Sequence, residues 1–258
     1  AFDSANSVFA IDVDGDGDLD FLVFYGLGSL IKYYENLSMD STGTCDTLWM
    51  RLNHNCWGYM SESDNSNSLT LNIDVIDPNI ISFCHDTRSK RTMQLENTKK
   101  ERHTGSTMTM IDLNNDNKKD MLLGDVDYPT IISLINGGTM DTARIVSQDS
   151  TFPSTNIPVK LYDLVSADYL DVDNDQVRDL VCGAMEPSWT HHKSDNIESA
   201  WWYKNIGTNS SPVFSRQTKS FLQNEMIDVG ANSYPVLFDY NNDGLKDLVV
   251  GSYGLRDS

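Results

Sequence analysis

Cysteine is scarce in this chain, four in 258 residues, so the fold cannot rest on a disulfide framework. Basic side chains are scarce as well. Lys and Arg number 19 against 38 Asp and Glu, a formal charge of −19 that disfavours a nucleic-acid partner. No apolar stretch reaches the roughly 18 residues that a membrane-crossing helix needs. The sequence also lacks a G-x-S-x-G elbow, an H-E-x-x-H pair, a P-loop and a G-x-G-x-x-G turn, and it is read as a non-enzyme.

What the chain has in excess is aspartate, and it is patterned. Asp12 to Asp20, Asp112 to Asp120, Asp171 to Asp179 and Asp239 to Asp247 share a nine-residue frame. Position one is Asp in all four, position three is Asp or Asn, and positions five and nine are Asp. An apolar run follows each: Phe21 to Phe24, Met121 to Leu123, Leu180 to Cys182, and Leu248 to Val250. Four copies in register, each feeding an apolar strand, make an internal repeat and predict an all-β fold.

The frame has the chemistry of a calcium loop. Ca²⁺ takes about six to eight oxygens, and alternate side chains on a tight turn can converge on one point. The expected side-chain ligands are Asp12, Asp14, Asp16 and Asp20; Asp112, Asn114, Asp116 and Asp120; Asp171, Asp173, Asp175 and Asp179; and Asp239, Asn241, Asp243 and Asp247. Position seven varies (Asp18, Lys118, Val177, Leu245), which suits a backbone carbonyl ligand. Gly15, Gly17 and Gly244 stand where such a turn needs positive φ, which Asn115, Asn117, Asn174 and Asn242 also tolerate. An EF-hand would need Glu at position twelve, where this chain has Val23, Leu123, Cys182 and Val250. Fourteen of the 38 acidic side chains occupy frame positions one, three, five and nine, and four divalent ions would bring the charge to about −11. Metal binding and folding should therefore be linked. Millimolar extracellular calcium suits such sites better than a micromolar cytosol.

The frame, its following strand, the aromatic strands Tyr33-Tyr34-Glu35-Asn36 and Trp201 to Thr208 with their Asn turn, and Pro212-Val213-Phe214 resemble the FG-GAP or VCBS-type repeat of integrin-like β-propellers. That resemblance implies four-stranded blades, with the loop joining two strands of each, and covers residues 1–37 and 104–258 best. The loops begin at 12, 112, 171 and 239, so the last two intervals, 59 and 68 residues, each fit one blade. The expected organisation is a first blade from 1–37 plus part of 38–110 and an insertion at 38–103. A second blade at 104–160, a third at 161–230 and the start of a fourth at 231–258 follow. About three and a half blades cannot close, so the chain is expected to be part of a longer propeller, seven-bladed if it follows the resemblance.

Within the insertion, Ser68 to Val75 and Asn79 to Cys84 read as strands, and Arg88 to His103 as an exposed loop. A cross-link would most benefit this segment, and Cys56–Cys84 is the expected pair, with Cys45–Cys56 as the alternative. Zinc held with His54 and His85 is another reading, weakened by the missing C-x₂-C spacing. Cys182 is expected to be a buried thiol in a strand. Trp201 and Trp202 alternate, so one should face the core and the other outward.

Asp followed by Ser or Thr and then a small or aliphatic residue or Thr recurs at Ser4, Ser41, Thr47, Thr142 and Ser150. It is similar to the O-glycosylation acceptor of exported Bacteroidota proteins, and ordinary turn chemistry is the competing reading. Cys56-Trp57-Gly58 and Arg102 to Thr107 also resemble pieces of surface proteins of those bacteria. That resemblance implies export by the type IX system and outer-membrane secretion machinery as a partner. The expected function is a calcium-stabilised extracellular module that binds protein or glycan, as in adhesion. The alternatives are a polysaccharide-degrading enzyme or its accessory domain, and a part or cargo of a secretion or gliding apparatus. Loops carry binding residues on rigid scaffolds, so Trp57, Trp189 and His191 are the candidate partner contacts.

Overall fold

The computed structural model describes residues 8–24, 29–63, 66–86, 106–140, 142–162, 164–184, 198–227, 229 and 232–252. Among the described residues the regular structure is mostly antiparallel strands, and the chain divides into two units, Ala1–Phe221 and Leu222–Ser258.

The first sheet of the larger unit is a four-stranded meander of β1 (Val8–Ile11), β2 (Asp20–Phe24), β3 (Ile31–Asn36) and β4 (Met50–His54). A short helix, α1 (Ser38–Thr42), lies between β3 and β4. The fourth strand of this sheet thus lies inside the stretch read as an insertion. A two-stranded ribbon follows, β5 (Met60–Glu62) with β6 (Leu69–Leu71), then helices α2 (Ile73–Ile76) and α3 (Ile80–Cys84).

Two strand expectations are corrected here. Ser68 to Val75 is a strand only over β6, and Asn79 to Cys84 is helical. Leu69, Leu71, Ile73 and Val75 alternate in sequence, but burial does not follow: Ile73 is buried while Val75 is 71% exposed. In α3, Ile80 and Cys84 are four residues apart, so a helix puts both on one face. That face meets Leu30, Cys56, Tyr59 and Ile73 in a small apolar cluster, and the disulfide Cys56–Cys84 closes it. Asn55 stitches the helix end from outside. Its amide Nδ2 donates to the carbonyls of Phe83 and Asp86, both at 2.9 Å. With both cysteines spent on the bridge, the zinc reading loses its thiolates. His54 lies beside the bridge, and its Nδ1 accepts the Cys56 N–H at 3.1 Å. Burial, helped by the neighbouring His85, lowers its pKa to about 4. Cys45 is an exposed thiol and Cys182 a buried one.

The second sheet contains β7 (Ser106–Ile111), β8 (Asp120–Asp125), β9 (Ile131–Asn136) and β10 (Ile145–Asp149). The third contains β11 (Val165–Leu170), β12 (Asp179–Ala184), β13 (Ala200–Asn205) and β14 (Phe214–Thr218). One apolar core joins the first two sheets through residues such as Leu22, Phe24, Tyr33, Met121, Leu123 and Leu134. A second core joins the second and third through Leu122, Ile131, Val165, Leu180 and Tyr203. Strand β8 has neighbours on both faces and is buried along its whole length. Between β7 and β11 the sheets touch directly: Thr107 Oγ1 donates to the Val165 carbonyl at 2.5 Å, and Thr109 Oγ1 to that of Ala167. Glycine is needed where they come closest, since a Cβ on Gly124 would lie 1.7 Å from the Val165 oxygen. Successive four-stranded antiparallel sheets packed face to face are compatible with the blades of a propeller.

The smaller unit is a hairpin of β15 (Tyr234–Phe238) and β16 (Asp247–Gly251). Its apolar side chains, Leu237 and Leu248 among them, are exposed. The residues read as the loop Arg88 to His103, together with Ser4, Trp189 and His191, lie outside the described residues.

Candidate metal centre

All four acidic frames sit in the same place. The residue just before position one pairs with position nine across the hairpin: Ile11 with Asp20, Ile111 with Asp120, Leu170 with Asp179, and Phe238 with Asp247. Each frame is therefore the turn between the first two strands of its sheet. The turn folds through its own carboxylates. Position five accepts the N–H of position seven in every loop, at 2.8 to 3.0 Å: Asp16 from Asp18, Asp116 from Lys118, Asp175 from Val177 and Asp243 from Leu245. Position one accepts amides further along, as Asp171 does from Asp175 and Gln176. Such side-chain-to-backbone bonds close tight turns without a regular ladder.

The turns also need positive φ at positions four and six. Gly15, Asn115, Asn174 and Asn242 supply it at the first, and Gly17, Asn117, Gln176 and Gly244 at the second. Only Gln176 is unexpected from composition, because a long side chain rarely accepts this conformation.

Position nine behaves differently from the rest. Asp20, Asp120 and Asp179 are fully buried. In each, Oδ1 accepts the backbone N–H of an Asn that ends the third strand: Asn36 at 2.8 Å, Asn136 at 2.7 Å and Asn205 at 2.8 Å. Oδ2 accepts a second donor, the N–H of Val13 or Leu113 at 2.9 Å, or the indole N–H of Trp202 at 3.1 Å. Asp247 accepts the N–H of Tyr240 at 2.8 Å in the same way. These carboxylates brace the loop to the sheet, a role not read from the frame alone. The Asn residues continue the brace, since Oδ1 of Asn136 accepts from Gly138 and Arg144, and Oδ1 of Asn205 from Gly207 and Val213. An Asn closing the third strand of each sheet was the available signal, and only Asn36 and Asn205 stood out in the motif.

Among the described residues, two acidic clusters could hold a metal ion: Asp12, Asp14 and Asp20, and Asp171, Asp173 and Asp175, each with ligand atoms within 4.8 Å of one another. The first shows the signs of an unmet charge. Asp16 Oδ2 and Asp18 Oδ1 are buried and have no hydrogen-bond partner. The pKa of Asp14 is raised to about 6, first by burial and then by repulsion from Asp20, with Asp16 and Asp12 adding to it. Tyr33, itself buried, leans its hydroxyl on the same group, 3.2 Å from Asp20 Oδ2 and 3.4 Å from Asp14 Oδ2. Packed, partly desolvated oxygens with nothing between them suit a hard cation, which would replace mutual repulsion with attraction. The donor set therefore fits an ion bound by oxygen.

The third loop differs. The Lys204 ammonium, from β13, sits against Asp173 and Asp175, at 2.9 Å from the latter's Oδ2. This contact holds the Asp175 pKa below the ordinary carboxylate range and raises that of Lys204. This tethered cation sets the third loop apart from the first, whose carboxylates face no ammonium among the described residues. Lys204→Met should raise the divalent-ion affinity of the third loop by about tenfold by removing a competing charge within contact distance. Calorimetric titration of the variant against wild type measures it, and equal affinities would show that the ammonium does not compete. In the second loop Lys118 similarly pairs with Asp116 at 2.9 Å.

Other residues singled out earlier fall in varied places. Trp57 is only 3% exposed and packs in the first core, so its expected role as a partner contact is corrected. Trp201 is buried and Trp202 half-buried, as their alternation requires. Ser41, Thr47 and Thr142 are exposed and Ser150 is half-buried. Around Ser150 the ordinary turn is present, with Asp149 Oδ1 accepting the N–H of Thr151 at 2.9 Å.

No family model matches this chain, and no curated protein is significantly similar to it in sequence.

Proposed function

We propose that this chain belongs to a calcium-stabilised β-propeller that acts outside the cell as a non-catalytic module binding protein or glycan. One observation carries the metal part of this reading: the same aspartate turn joins the first two strands of each of the three four-stranded sheets and the strands of the β15–β16 hairpin, and in the first loop it leaves buried carboxylate oxygens without partners. Calcium is the ion that matches carboxylate and carbonyl donors on a flexible loop. In this reading Asp12, Asp14 and Asp16 hold the ion in the first loop, with Asp20 serving both ion and sheet. The Cys56–Cys84 bridge supports an oxidising setting, where calcium is also plentiful. The loops' carboxylates are committed to turn amides and to metal, which leaves them unsuited to acid–base work and supports binding over catalysis.

Calorimetric titration of metal-free protein tests this. Calcium uptake at two or more sites is expected, with magnesium weaker because it demands near-octahedral geometry and gives up water reluctantly. Absence of calcium uptake at millimolar concentration would overturn the reading.

A further inference from the structure

The third sheet carries a groove of about 570 Å³ that the aspartate loops do not touch. Its walls are the segment Ile157 to Tyr162, which leads into β11, the first residues of β13, and β14 with Lys219 just beyond it. The leading segment is held firmly: the N–H of Val159 donates to the Phe152 carbonyl at 3.0 Å, and that of Leu161 to Pro129 at 2.9 Å. Pro158, Leu161 and Trp201 give the groove an apolar floor.

Its rim is basic. Lys160, Arg216 and Lys219 line it, against one carboxylate, Glu198. Glu198 is already paired with Lys219 at 2.8 Å, and among the described residues Lys160 has no ion-pair partner. The Arg216 guanidinium lies 5.0 Å and the Lys219 ammonium 5.4 Å from the centre of the Trp201 ring. Cation–π contact of this kind fixes the charged heads over the floor while leaving N–H donors for a ligand. Two uncompensated cations beside an aromatic floor are a local reversal in a chain with twice as many acidic as basic residues.

We propose that this groove binds an anionic saccharide, one that bears carboxylate or sulfate groups on its rings. The volume lies in the ordinary range for small-ligand sites. The exposed Ile157 and the half-buried Pro158 and Tyr162 offer apolar contact to the C–H faces of a sugar ring, while the cations held over the buried Trp201 meet its acidic substituents. An acidic peptide fits less well. A peptide would add to the outer edge of β14, where the N–H of Arg216 already donates to Oδ1 of Asn156, just ahead of the leading segment, at 3.4 Å. The proposal deepens the binding-module reading by naming a ligand class. It does not depend on the metal loops, so either idea can fail while the other stands.

The test uses the whole chain with calcium present. Oligogalacturonate and a sulfated tetrasaccharide are titrated by calorimetry, beside a neutral glucan of equal length and tri-glutamate. Binding of an acidic saccharide at least tenfold tighter than of the glucan and of tri-glutamate is expected, weakening as salt rises. Lys160→Glu should reduce it at least tenfold with the melting temperature unchanged, and Arg216→Gln severalfold. Failure of both acidic saccharides to bind, equal binding of the glucan, tighter binding of tri-glutamate, or indifference to both substitutions would each overturn the proposal.

Discussion

Chelating divalent ions should lower the melting temperature of this protein by roughly 10 °C for each well-formed site that empties. An ion at 100 to 1,000 times its Kd stabilises the native state by about 3–4 kcal/mol. In a chain of this size about 1 kcal/mol moves the midpoint by about 2–4 °C. The first loop should contribute most, because its buried Asp16 and Asp18 oxygens have no other partner. Asp14→Ala gives the sharper form of the prediction. Without calcium the substitution should be neutral or stabilising, since it removes a carboxylate that its neighbours Asp20, Asp16 and Asp12 repel. With calcium it should be destabilising, since a ligand is gone. Scanning calorimetry in calcium and in chelator reads both signs. A melting temperature that ignores chelation would mean that the loops are closed turns rather than metal sites.

Asp120→Ala should destabilise by about 3–5 kcal/mol whether or not calcium is present. The Asp120 carboxylate is fully buried and accepts the N–H of Asn136 at 2.7 Å and that of Leu113 at 2.9 Å. Removing it strands one buried donor and one half-buried donor, each costing up to about 1–3 kcal/mol. Asp120→Asn keeps one acceptor oxygen and should recover about half of the loss. Asp116→Ala serves as the contrast. Its carboxylate is half-exposed and bonds within the loop, so its effect should be small in chelator and grow in calcium. Urea unfolding of the three variants under both conditions separates bracing from ligation. If the cost of Asp120→Ala vanished in chelator, position nine would be a ligand and not a brace.

The acidic frame was legible because it repeats. Side chains at alternate positions, Gly or Asn at the positive-φ sites and an apolar run behind each loop are local requirements, and local requirements show in sequence. The turn positions at Gly15, Gly17, Asn115, Asn117, Asn174, Asn242 and Gly244 all take the conformation expected of them. The alternation of Trp201 and Trp202 was readable for the same reason, whereas the cross-link at Cys56 and Cys84 was read from the small number of cysteines and the benefit of a link in a long segment.

The rest was decided by packing between distant segments. Leu69 to Val75 alternates like a strand and Asn79 to Cys84 was read as another, yet only Leu69–Leu71 forms one, because the disulfide and the Ile80–Cys84 face must meet Leu30 and Tyr59. Trp57 looked like a surface ring in a polar insertion and is buried because the second sheet covers it. The bracing role of Asp20, Asp120 and Asp179 depends on an Asn 16 to 26 residues away, beyond the reach of any short motif. Lys204 enters the third loop, and Lys160, Arg216 and Lys219 gather around Trp201, only once the strands are folded side by side. Sequence thus determined the repeating turn, whose bonds close within nine residues. Tertiary structure decided which carboxylates are free for an ion and where the scarce cations collect, because both depend on the field and burial created by neighbours far along the chain.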